Sequence, residues 1–90
     1  MPNASIRSFK VGLRHDFWMV DAAGNRAVAR FVNGLIDRLA RDGFRTRAAY
    51  RRSFDAGLTR IARRHPEVRD YEVRDRIDAV VYIPTVRAGL

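Results

Sequence analysis

Between Val28 and Leu39 apolar residues recur at three- and four-residue steps. Val28, Phe31, Val32, Leu35, Ile36 and Leu39 fall on one stripe, and Arg26, Arg30, Asn33, Asp37 and Arg41 fall opposite. That period belongs to an amphipathic helix. Asp21 and Asn25 both offer N-cap chemistry, and Gly43 can take the left-handed conformation at the C-terminal end with Phe44 making the contact that follows. A rival pattern, with residues 21–25 as a hairpin turn and a strand after it, would put Arg26, Val28, Arg30 and Val32 on one face and is rejected. Gly34 costs this helix about 1 kcal/mol relative to Ala and has no role that the pattern explains.

Thr46 is placed to cap a second helix that runs to about Arg64 and stops before Pro66. Its apolar stripe is Tyr50, Phe54, Leu58 and Ile61, while Arg45, Arg52, Thr59, Arg60 and Arg63 lie on the other side. Arg47 and Arg51 border the apolar stripe, where Arg51 can pair with Asp55 one turn on. Gly57 flanks the stripe and leaves room for another backbone. The short connection between the two helices predicts an antiparallel pair.

Elsewhere the pattern favours strands. After a polar lead-in over Met1 to Ser5, the stretch Ile6–Leu13 alternates Phe9, Val11 and Leu13 with Ser8, Lys10 and Gly12, the period of a half-buried strand. Phe17 to Val20 is a short apolar run, read as a second strand in preference to the buried start of the next helix. His65 to Arg76 is polar and mixed in charge and reads as a connection. Arg76 to Pro84 contains Val80, Val81, Tyr82 and Ile83, residues of high β propensity, with Pro84 marking an edge. The predicted fold class is therefore α+β: one domain over residues 1–90, with a small antiparallel sheet of two or three strands packed against an antiparallel helix pair.

Charge changes the picture for the second helix. The net charge is +8, and residues 45–65 alone carry seven basic and one acidic side chain, against seven and four in residues 1–44 and four and five in residues 66–90. Basicity concentrated in this way suits a polyanionic partner. Arg outnumbers Lys seventeen to one, so a coding bias toward arginine is a competing explanation. Arg45, Arg52, Arg60 and Arg63, with Arg64 at the edge, are the candidate nucleic-acid-binding residues, able to contact successive phosphates. Tyr50 and Phe54 lie on the apolar stripe and not among the arginines, which argues against a base-stacking platform.

Other chemistry is poorly supported. With no cysteine and two histidines, no metal-ligand spacing, disulfide framework or Cys nucleophile can be written, and no nucleotide-binding or hydrolase motif occurs. His15 with Asp16 and His65 with Glu67 are the acid–base candidates involving histidine, both of a kind common at turns. Residues 70–83, DYEVRDRIDAVVYI, are similar in outline to the central strands of ribonuclease toxins of the RelE and ParE type, although both helices differ in length from that family. No apolar run is long enough to span a bilayer and no signal-peptide core is visible, so a cytoplasmic protein is expected. The expected function is non-enzymatic nucleic-acid binding without a cofactor, to DNA or RNA. The alternative is a subunit or inhibitor that docks on an acidic protein surface or on itself as a homodimer, because Trp18, Met19 and Tyr82 exceed what a small core covers.

Overall fold

The computed structural model describes residues 3–90, and among them there are helices and no strand. Met1 and Pro2, part of the expected lead-in, lie outside the described residues. Helix α1 (Asn3–Ile6) is one turn, followed by a 3-10 turn over Arg7–Phe9. Helix α2 (Ala22–Arg41) is the hub, packing against α1, α3 (Arg47–Ala62) and α4 (Tyr71–Arg87). A second 3-10 turn, Pro66–Arg69, rests on α3 and α4.

The ends of α2 and α3 form as their residues predict. The Asp21 carboxylate accepts from Gly24 N at 2.6 Å, satisfying a free donor of the first turn. Gly43, at φ 70°, closes the other end by donating to the Arg38 carbonyl at 2.8 Å, and only glycine takes that conformation without steric cost. The Thr46 hydroxyl accepts from Ala49 N at 3.0 Å and starts α3. Phe44 then packs edge-on against Tyr50, 5.4 Å between centroids, with the Arg38 guanidinium over its other side.

The α+β expectation is overturned at all three of its strands. Ile6 to Leu13 holds the end of α1, a 3-10 turn and an extended stretch without a strand partner. Its backbone is satisfied by a side chain instead. The Asn33 amide accepts from Val11 N and donates to Val11 O, both at 2.8 Å, which is the pairing a neighbouring strand would have made. Phe17 repeats the device, donating its N–H to the Asn25 side chain at 3.0 Å. The Phe17 run is thus an irregular strap that drops Phe17 and Met19 into the core and leaves Trp18 half-exposed. Trp18 has φ 65°, a conformation that costs an aromatic residue about 1–3 kcal/mol. The Asp16 carboxylate accepts its N–H at 2.7 Å, and the Arg76 guanidinium lies 3.4 Å from the ring centroid.

The third expected strand is the middle of α4. Val73, Ile77, Val81 and Pro84 are its buried line, a helical spacing, where the β propensity of Val80 to Ile83 predicts a strand. The β propensity of Val80 to Ile83 is outweighed by a surface on α2 that a helix can cover. Pro84 lies inside α4 with its ring buried. It has no N–H for the Val80 carbonyl, while the Thr85 hydroxyl donates to Val81 O at 2.6 Å. The likeness of residues 70–83 to toxin strands ends here, because the stretch is helical from Tyr71 onward.

The buried side chains form one cluster drawn from the helices, the second 3-10 turn and the Phe17 strap. Phe54 is central, with its ring 6.0 Å from Phe31 and 6.2 Å from Tyr50. Phe54, Phe17, Ile36 and Ile77 are fully buried, each contributing about 1.5–3 kcal/mol relative to exposure. Phe31 reaches that position over Gly57, where any Cβ would overlap its ring. No helix is long and apolar enough to cross a membrane among the described residues.

Candidate nucleic-acid interface

Helix α3 separates its residues as the pattern predicted. Tyr50, Phe54 and Leu58 are buried and Ile61 is half-buried, so the aromatic rings belong to the core and present no stacking surface. Arg45, Arg52, Arg60, Arg63 and Arg64 are all exposed. None of the five is in an ion pair among the described residues. Arg51 is different: it reaches Asp55 at 3.8 Å and lies over Phe54, 4.8 Å from the centroid.

The five are spread along the length of α3 and not clustered. Arg45 stands in the loop before the cap, Arg52 on the second turn of α3, Arg60 on its last turn, Arg63 at its C-cap and Arg64 in the turn beyond. At 100° per residue Arg52 and Arg63 fall within about 20° of one line, about 17 Å apart. That distance is the axial rise of about five nucleotides on one strand of a duplex. Three free guanidinium groups at the C-terminal end of α3 also complement its dipole.

The structure adds one residue that the pattern did not single out. Arg30 of α2 and Arg60 of α3 flank a groove of about 390 Å³ whose floor includes Gly34, Ser53, Ala56 and Gly57. A Cβ at Gly34 would meet nothing within 4 Å, so packing does not require the glycine on the polar side of α2. The signal in the sequence was a pair of small positions, Gly34 and Gly57, each near an arginine. What it lacked was the register of α2 against α3.

The histidines are engaged elsewhere. His15 is exposed and packs on Phe17 at 4.6 Å, while Asp16 holds the Trp18 turn. His65 Nδ1 lies 3.9 Å from Asp21, and Glu67 accepts from Val20 N at 3.4 Å. Both acidic neighbours are thus spent on backbone geometry. Among the described residues no three His, Asp or Glu side chains converge on a metal position. No family model matches the chain, and comparison with curated proteins and with solved structures gives no match.

Proposed function

We propose that this chain is a non-enzymatic nucleic-acid-binding protein that contacts phosphates through the outer side of α3. The observation that carries the reading is the set of five exposed arginines along α3 and its ends without acidic partners among the described residues, with Arg30 facing Arg60 across the groove. Unpaired guanidinium groups at this spacing release counterions when they meet a polyanion and supply affinity without reading bases. The test is a salt series of binding to duplex DNA, single strands and RNA. Arg52→Ala and Arg63→Ala are each expected to weaken binding to all sequences alike and to reduce the salt slope by about 1. Binding that is absent, or that does not depend on salt, sinks the proposal.

One observation favours the rival reading of a self-associating subunit. Tyr82, Ile83 and Val86 are exposed on the C-terminal half of α4, apolar area that a second copy of the chain would cover. That reading expects a dimer by light scattering that Ile83→Lys dissociates. A monomer across the concentration range counts against it.

A further inference from the structure

Between the start of α3 and the C-terminal half of α4 lies a pocket of about 200 Å³. It exceeds the roughly 30 Å³ share of one water and falls below the roughly 300 Å³ at which pockets for drug-sized molecules begin. Its scale is that of a small metabolite. Val81, Tyr82 and Val86 give it apolar walls.

Three polar groups at this pocket have no hydrogen-bond or ion-pair partner among the described residues. Tyr50 is 4% exposed, and its hydroxyl is buried without a hydrogen-bond partner. Burial holds that hydroxyl above the ordinary phenol pKa, with Thr85 and Arg51 opposing and Asp78 reinforcing the shift, so it is protonated and able to donate. Thr85 lies beside it, with its own hydroxyl turned to the Val81 carbonyl, to which it donates at 2.6 Å. Arg47 and Asp78 line the same pocket with opposite charges, and neither is in an ion pair among the described residues. Arg51, the third charged residue at the pocket, reaches Asp55 at 3.8 Å, which leaves Arg47 and Asp78 as two opposite charges complementary to a ligand carrying both.

We propose that this pocket binds a free apolar α-amino acid, with its ammonium group on Asp78, its carboxylate on Arg47 and the Tyr50 hydroxyl, and its side chain against Val81, Tyr82 and Val86. A simple carboxylic acid leaves Asp78 unpaired beside a like charge, and a simple amine does the same to Arg47. The zwitterion alone satisfies both. The site is independent of the five arginines of the candidate interface, and no substitution in its test touches Arg52 or Arg63.

The experiment is amide NMR titration of the full chain with L-phenylalanine, 3-phenylpropanoate and 2-phenylethylamine. L-Phenylalanine is expected to shift resonances around Tyr50 and residues 78–86 saturably. The two analogues should bind about tenfold more weakly, the scale of one lost charged hydrogen bond. Arg47→Ala should narrow the preference over the amine, and Asp78→Asn should erase the preference over the acid. Arg47 is exposed and Asp78 half-buried, so neither variant threatens folding. Tyr50→Phe keeps the ring and removes the donor, weakening binding several-fold. No saturable shift with L-phenylalanine, equal binding of all three compounds, or shifts confined to another face would each overturn the proposal.

Discussion

Helix α2 turns one stripe toward three neighbours and keeps polar residues elsewhere, and even that polar side is put to use: Asn25 holds the strap, Asn33 holds the stretch around Val11, and Asp37 meets Arg7 at 3.2 Å and Lys10 at 2.9 Å. Helix α4 buries Val73, Ile77, Val81 and Pro84 but carries Tyr71, Tyr82, Ile83 and Val86 into solvent. The first helix is specified by its own pattern, because a single orientation buries its apolar residues. The second has apolar residues on both sides, includes a proline, and is specified by the surface it docks on. One helix is a template and the other a tenant.

Truncation of the core should break this comparison most severely. Ile36 of α2 and Ile77 of α4 are both fully buried, so Ile36→Ala and Ile77→Ala are each expected to lose about 2–5 kcal/mol in denaturant unfolding. A loss below about 1 kcal/mol for Ile77→Ala alone would mean that α4 is not packed as described. Next in size is a pair of opposite sign. Gly57→Ala would drive a methyl into the Phe31 ring and should lose about 1–2 kcal/mol after the gain in helix propensity. Gly34→Ala meets open space and should gain up to about 1 kcal/mol.

The smallest effect concerns the polar side of α2. The hydrogen bond from Lys10, helped by Arg7 and opposed by slight desolvation, holds the Asp37 carboxyl below its ordinary pKa of 3.8. A depressed folded pKa contributes stability that is present above the unfolded value and is lost as pH falls through the folded one. The pair is partly exposed, with 37% of the Asp37 side chain accessible, so its contribution is at most about 1 kcal/mol. Asp37→Asn should therefore be slightly less stable at neutral pH, and urea unfolding should show the gap closing below about pH 4. A gap that persists in acid would separate the effect from ionisation of Asp37.

These contrasts explain what was legible in the chain. The stripe of α2, both caps, Gly43 and the division of α3 into core and arginine faces follow from local pattern, because each is decided by residues within one or two turns. The sheet was inferred from Phe9, Val11 and Val80 to Ile83, where alternation and β propensity are local but the pairing they imply is not. Asn33 took the place of a strand partner through a contact 22 residues away in sequence, and no periodicity reports such a substitution. At the candidate interface, the exposure of Arg45, Arg52, Arg60, Arg63 and Arg64 is readable from local sequence alone. The position of Arg30 beside Arg60, and the unpaired groups at the Tyr50 pocket, depend on how helices meet.

The Trp18 turn also makes the protein its own reporter. Trp18 is the sole tryptophan in the chain, and its ring is stacked under the guanidinium of an α4 residue while its backbone belongs to the strap laid on α2. Its emission is thus an optical gauge of whether strap and α4 are seated together, readable without a label.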